Sequence, residues 1–319
     1  MQETVDNKGK KVLLNIDDLC MYFDYKGKRL KASEHISFDI MEGETFGLVG
    51  ESGSGKSTIG KCIIGLNKPT AGRITFMGEE ITGITDPKEY KEKLRDIQMI
   101  FQDPMSSLNP KKQVGDIIRE ALIIQKVGKT KEEQDRIIAD IMGKVGIPAE
   151  YANRYPKDFS GGQRQRIGIA RALVVNPRLI IADECIAALD ASVQAQIVNM
   201  LKRIKEETGT SFLFISHDLT MVRHLSDRIG VLHLGYLLEI GTSEEIFDNP
   251  VHPYTRSLLA AIPRMNPVVQ SEKMEVYDYG SSGIDYALGQ WHDISDTHQV
   301  RCTDAELKDW TEGGREDDE

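Results

Sequence analysis

No stretch of the chain approaches the roughly 20 consecutive apolar residues that span a bilayer as a helix, so no segment reads as a transmembrane helix. A secretory leader is not legible either. MQETVDNKGKK is followed only by VLL, too short for the apolar core of a signal peptide, and the expectation is a cytoplasmic protein. Cysteine is scarce. Cys20, Cys62, Cys185 and Cys302 are the four present, and no two share C-x-x-C spacing. That argues against a disulfide framework or a zinc site and for a reducing compartment. A basic excess is missing as well, with 40 Lys+Arg against 50 Asp+Glu. Phosphate-backbone binding draws on such an excess, so nucleic acid is disfavoured as a partner. The imbalance is local: residues 271–319 hold 14 acids and 4 bases, and the remainder of the chain is balanced. The closing GGREDDE reads as a solvated end. Internal repeats and long low-complexity segments are also lacking.

What is present suffices for a real core. The 319 residues, 40% hydrophobic, make one large domain or two ordinary ones. ISFDIMEGETFGLVG contains two strand candidates split at Glu42-Gly43-Glu44, and GRITFMG (72–78), IQMIFQ (97–102), LIIA (179–182) and SFLFIS (211–216) read as further strands. Helical spacing follows Lys56, runs through residues 112–148, returns from about Gly162 to Val175 and again over 193–207. Strands alternating with helices predict an α/β fold with a parallel sheet covered on both faces. A change of composition at Pro263 to Pro267 marks the expected start of a separate tail.

LIIADECIAALD, residues 179–190, poses the chemical question. An apolar strand ends in two adjacent carboxylates, Asp183 and Glu184. Burying one ionised carboxylate is costly unless it is paired or bound to a metal. GESGSGKST, Gly50 to Thr58, offers the reason. It fits G-x-x-x-x-G-K-[ST] between the strand TFGLV and a helix. Gly50, Gly53 and Gly55 let the backbone turn so that amides, including those at Ser52, Ser54 and Thr58, face phosphate oxygens, helped by the helix N-terminus. Lys56 would reach the outer phosphates and Ser57 would bind Mg²⁺. Asp183 would then hold the same metal, and Glu184 would polarise an attacking water.

FSGGQRQRIGIARAL, Phe159 to Leu173, closely followed by that strand, resembles the signature of ABC-type ATPases. The likeness covers about residues 12–262. It implies a P-loop NTPase (RecA-like) core with an antiparallel β subdomain, an inserted helical subdomain at about 104–172, and a short C-terminal appendage. The ATPase domain would span 1–262 and an acidic extension 263–319. Further positions follow from the resemblance. Gln102 sits where the family's glutamine senses the metal, Asp190 closes AALD, and His217 in FISHDL stands where a histidine contacts the γ-phosphate. Phe23 stands where an aromatic stacks on adenine, with Tyr22 and Tyr25 as alternatives. Ser160, Gly161, Gly162 and Gln163 open a helix and would face the ATP of a partner subunit, two subunits closing head to tail. Phe159 replaces the usual Leu and fills the same apolar slot. Cys185 stands where Pro is frequent, either as a small buried residue or as a reactive thiol.

FQDPMSSLNPKKQVGDII, DECIAALDASVQAQIVNML and the block from Leu234 to Pro263 containing HPYT (252–255) resemble the ATP-binding subunits of oligopeptide and dipeptide importers. HQVRCTDAELKDW (298–310) resembles the subunit type without a cysteine-cluster tail, and a lone Cys302 excludes an iron–sulfur cluster on ligand count. HPYT itself reads equally well as a turn and helix start. The resemblance implies ATP and Mg²⁺ as cofactors and a sister ABC ATPase as the nearer partner, forming a heterodimer. It also implies two integral membrane permease subunits, indirectly an extracellular solute-binding protein, and a peripheral place on the cytoplasmic face of the cell membrane. Met105, Leu108 and Pro110 are candidate permease contacts or, equally, core residues. Rival readings are import of another small solute such as nickel, a non-transport ABC nucleotide switch, and an exporter ATPase. The last two are weakened by the missing second ATPase domain and the missing membrane segments.

Overall fold

The computed structural model describes residues 11–102, 108–187, 189–262 and 277–312. Its strands are β1 (Val12–Tyr25), β2 (Lys28–Met41), β3 (Thr45–Val49), β4 (Ala71–Phe76), β5 (Glu79–Glu80), β6 (Ile97–Ile100), β7 (Leu179–Asp183), β8 (Ser211–Ser216), β9 (Arg228–His233), β10 (Tyr236–Thr242), β11 (Gln290–Asp293) and β12 (Gln299–Cys302). β3, β7 and β8 are buried along their whole length. Unbroken apolar runs of this kind belong to parallel strands with both faces covered. They lie at the centre of an eight-stranded sheet ordered β11-β12-β10-β9-β3-β8-β7-β6. From β9 to β6 the neighbours run parallel. β10, β12 and β11 continue the sheet antiparallel. A second, antiparallel sheet has the order β2-β1-β4-β5.

The two faces of the large sheet have separate cores. On one, the antiparallel sheet and the helix Lys56–Ile63 pack against β3, β7 and β8, with Phe38 stacked on Phe46 at 4.7 Å. On the other, the helices Gly161–Leu173 and Ala191–Thr208 join the sheet to a helical group. The helical stretch expected over 112–148 is two helices, Val114–Gln125 and Lys131–Lys144. Lys126 adopts a left-handed C-cap, Gly128 follows at φ 74°, and the Thr130 side chain caps the second helix.

The described part of the tail, 277–312, is stitched to the main sheet. Glu239 and Ile240 of β10 pair with Val300 and Gln299 of β12. Glu239 is fully buried. It accepts the backbone N–H groups of Val251 and His252 at 2.7 and 3.1 Å, and its carboxylate lies 2.7 Å from His298 Nε2. One side chain therefore ties β10, the start of the helix Pro253–Ala260 and the tail. His252 caps that helix, its Nδ1 accepting the N–H of Tyr254 at 3.0 Å.

Two stability predictions follow from these groups. Glu239→Ala strands two buried amides and the His298 ring, and its cost is expected to reach about 3–5 kcal/mol. A urea midpoint within experimental error of the wild type would refute this. Acid sensitivity is the second. Burial, reinforced by the charges of His233 and Arg256, holds the His252 imidazole down at about 3. Between the unfolded value of about 6.5 and 3, the unfolded chain takes a proton that the folded chain refuses. Stability therefore falls as pH drops through that window, by at most about 1.4 kcal/mol per pH unit for this group. His233, also lowered by burial, adds to the same slope. His252→Asn keeps a capping acceptor and removes the titration. The stability gap between the two proteins should narrow from pH 7 to pH 5, and parallel curves would disprove the assignment.

Candidate nucleotide site

The loop from Gly50 to Thr58 leaves β3 and enters the helix Lys56–Ile63. Two glycines are sterically required. A Cβ on Gly50 would lie 1.9 Å from the carbonyl oxygen of Leu232, and one on Gly55 (φ +108°) would lie 2.1 Å from that of Ala32. Gly53 (φ +82°) instead borders open space. Ser52 and Gly53 are exposed, while Ser54 is buried and Ser57 and Thr58 are half-buried at the start of the helix. The result is a concave run of backbone at a helix N-terminus, the form that accepts an anion.

Lys56 closes the loop on itself. Its ammonium donates to the carbonyls of Gly50 and Glu51, both at 2.8 Å, and to Ser54 Oγ at 3.3 Å. The side chain is buried, and burial holds its pKa below the ordinary lysine value against the pull of Glu184, Asp183 and Glu51.

The paired acids at the end of β7 go separate ways. Asp183 is buried and accepts the Ser57 hydroxyl at 2.6 Å. Burial pushes its carboxyl above the usual range, and nearby Glu184 adds to that, although the Ser57 bond opposes it. Glu184 takes a left-handed backbone (φ 44°) and turns its carboxylate elsewhere. Gln102 Nε2 donates to Glu184 Oε2 at 2.9 Å, and His217 Nδ1 lies 3.3 Å from Glu184 Oε1. Gln102 follows β6, Glu184 follows β7 and His217 follows β8, so the parallel register alone delivers all three to one end of the sheet. That is where ligands of open α/β sheets bind. A hydroxyl and a carboxylate oxygen in contact are the hard oxygen donors that a small hard cation takes.

Other expected residues lie apart from this cluster. Ser160 and Gln163 form a capping box, Ser160 Oγ accepting from Gln163 N at 3.3 Å and Gln163 Oε1 from Ser160 N at 2.9 Å. Gly161 and Gly162 open that helix and pack toward Leu189 and Val193. Asp190 starts the helix Ala191–Thr208 through its backbone carbonyl, with no side-chain cap. Phe23 pairs with Leu30 close to the turn of the β1–β2 hairpin and is 37% exposed. Tyr25 is exposed too, whereas the Tyr22 hydroxyl donates to Glu34 Oε1 at 2.9 Å. Phe159 fills a buried slot against Tyr151. Cys185 is buried and its thiol is pushed up to about 12, the reverse of a reactive thiolate.

Several features escaped the sequence reading. Leu108 is buried and Pro110 exposed, and Met105 lies outside the described residues. An apolar groove of about 580 Å³ instead opens between β6 and the helical group, lined by Ile64, Tyr90, Met99, Phe101, Ala121 and Ile124. The β1–β2 hairpin gathers Cys20, Glu34 and His35 within 4.8 Å, the one such metal-capable group among the described residues. Its polar atoms are already engaged: His35 Nδ1 with Asp18 at 2.6 Å, Glu34 with Tyr22 and Lys31. Neither feature has a sequence spacing that would reveal it.

Comparison with known proteins places the chain in a family. Residues 33–187 match the ABC transporter family model, and residues 238–279 match the oligopeptide/dipeptide transporter C-terminal region. The oligopeptide transport ATP-binding protein OppF of Bacillus subtilis (strain 168) is 49% identical over 93% of this chain and 98% of its own length. The dipeptide transport ATP-binding protein DppF of Lactococcus lactis subsp. cremoris is 45% identical over 93% and 96%. Among solved structures, the ATP-binding cassette MJ0796, a dimer in a post-hydrolysis state bound to ADP and Pi, superposes with a TM-score of 0.67. It is 30% identical and covers 72% of this chain and 99% of its own. A glycine-rich loop at a helix start, a divided pair of acids and near-full-length likeness converge, and the chain belongs to the ABC transporter ATP-binding proteins, in the group that carries the oligopeptide/dipeptide C-terminal region.

Proposed function

We propose that this chain is the ATP-binding and ATP-hydrolysing subunit that powers import of oligopeptides or dipeptides through a membrane ABC transporter. The observation that carries the catalytic part is the division of the two acids, Asp183 to Ser57 and Glu184 to Gln102 and His217. The peptide part is supported by the close relatives and by the C-terminal region they share.

ATP phosphates would lie in the cradle from Gly50 to Thr58, with Lys56 turning from the loop carbonyls to the outer phosphates. Phe23 would stack on adenine. Ser57 and Asp183 would hold Mg²⁺, with Gln102 beside them. That ion, when bound, supplies the positive charge that buried Asp183 lacks and neutralises phosphate oxygens. Glu184 would take the proton of an attacking water, and His217 would hold that water and the γ-phosphate. Ser160, Gly161, Gly162, Gln163 and Asp190 would complete the site of a partner subunit, a sister ATPase in a heterodimer. Among the described residues, Ser160 bonds with Gln163 and the Asp190 carbonyl with Val193 and Gln194, each within its own segment.

The chain would work at the cytoplasmic face of the membrane as a peripheral subunit. Two permease subunits would form the path and an extracellular solute-binding protein would deliver the peptide. Among the described residues no helix is long and apolar enough to cross a membrane, which fits this division of labour. The groove lined by Tyr90, Phe101 and Ile124 is the surface that suits a permease helix. The ATPase domain would span 1–262, with its helical subdomain near 104–172, and an acidic extension would cover 263–319.

Steady-state ATPase assays with parallel nucleotide titrations test the mechanism. Glu184→Gln should lose about 10²–10⁴-fold in turnover while still binding ATP, and near-normal turnover would remove it from the role of base. Lys56→Ala should weaken ATP binding by about ten- to a hundredfold, the scale of a lost charge-assisted hydrogen bond. Unchanged affinity would undo the cradle assignment. For the transport role, uptake of a labelled tripeptide should vanish in cells carrying the Glu184→Gln chain and return with the wild type.

A further inference from the structure

The HPYT block reaches the nucleotide site through one hydroxyl. Tyr254 is among the largest fully buried side chains, and its Oη accepts the backbone N–H of Glu51 at 3.1 Å. Glu51 is the second residue of the phosphate loop. The carbonyls of Gly50 and Glu51 both accept from Lys56, so the Gly50–Glu51 peptide group is gripped on both sides, its N–H by Tyr254 and its carbonyl by Lys56. The two grips differ in kind. Lys56 must leave the carbonyl to meet a phosphate, whereas Tyr254 has no reason to let go.

The hydroxyl is held in place from behind. The Tyr254 ring stacks on His233 with centroids 4.0 Å apart and planes within 15°. His233 Nδ1 lies 2.7 Å from the Tyr286 hydroxyl, and the Tyr286 and Tyr277 hydroxyls are 3.1 Å apart. Tyr277 N–H donates to Ser257 Oγ at 3.0 Å, on the same helix as Tyr254. The chain of contacts thus closes on itself, and two of its members belong to the C-terminal segment. Burial keeps both His233 and His252 from charging near neutral pH, so the assembly holds the loop by hydrogen bonding and shape rather than by charge.

We propose that Tyr254 is a positioning residue for the phosphate loop, and that the C-terminal segment sets it through Tyr286 and His233. The segment after residue 276 therefore acts on ATP binding without touching the nucleotide. This rests on the reading of Gly50–Thr58 as the phosphate site. A contact that shapes the loop alike before and during reaction changes KM and leaves kcat in place.

The test uses the full chain in four forms: wild type, Tyr254→Phe, Tyr286→Phe and Lys56→Ala. Each is measured for affinity toward a slowly hydrolysed ATP analogue with Mg²⁺, for ATPase KM and kcat, and for thermal midpoint. Tyr254→Phe keeps the ring and its stacking. It should raise Kd and KM about three- to tenfold, the scale of one lost neutral hydrogen bond, with kcat changed less than twofold and only a small drop in midpoint. Tyr286→Phe, remote from the loop, should shift Kd in the same direction by about two- to threefold. Wild-type Kd and KM in Tyr254→Phe would overturn the tether, whatever its midpoint. A raised Kd in Tyr254→Phe with none in Tyr286→Phe would overturn the C-terminal part. If Tyr254→Phe does not fold, Tyr286→Phe decides alone. Failure of the underlying phosphate-site reading shows differently, as wild type and Lys56→Ala binding the analogue equally.

Discussion

Two carboxylates side by side at the end of an interior strand are the constraint around which this site is built. In isolation they would repel each other and resist burial. The backbone resolves the conflict before any ligand is considered. Glu184 enters the left-handed region, and that single turn sends its carboxylate to Gln102 and His217 while Asp183 remains with Ser57. A non-glycine residue in that conformation is uncommon and carries a local cost. Here the conformation gives the two carboxylates different neighbours, Ser57 for Asp183 and Gln102 with His217 for Glu184.

The separation depends on the sheet rather than on any helix or loop alone. β6, β7 and β8 are parallel neighbours, and each is followed within two residues by a polar residue of the candidate site. Parallel strands share a direction, so residues at their C-terminal ends converge in space even when they are far apart in sequence. For this reason the meeting of these candidate residues was largely legible beforehand. The phosphate loop and the acids are contiguous motifs, and the strands that carry them are apolar runs with clear ends. Gln102 and His217 were placed by resemblance, and the parallel register then accounts for their meeting at Glu184.

What remained illegible shares a physical cause. The cluster of Cys20, Glu34 and His35 exists because an antiparallel hairpin with several bulges brings two strands into register, and bulge positions leave little trace in composition. The apolar groove needs Ile64, Tyr90, Phe101 and Ile124 to meet from four separate segments. The tail was read from its charge as a thing apart. Charge describes the solvent face, while attachment comes from a few buried groups such as Val300, Tyr286 and His298. Glu239 was invisible for the opposite reason, an acid inside an apolar strand whose partners lie at residues 251, 252 and 298.

The same reasoning bears on the HPYT block, which the sequence left as either a structural turn or a family mark. The structure makes these one property. His252 caps a helix and Pro253 begins it, so the block is structural in the plainest sense. Yet the helix so fixed aims Tyr254 at the phosphate loop, and a hydrogen bond to a loop amide is useful only if the helix is rigid. Glu239 supplies that rigidity by holding the two amides that precede the helix and, with His298, the tail. A buried acid far from any phosphate thus stands at the other end of a continuous line of bonded groups that finishes at Glu51. On the proposed tether, rigidity in the C-terminal third of the chain would be felt at the candidate nucleotide site.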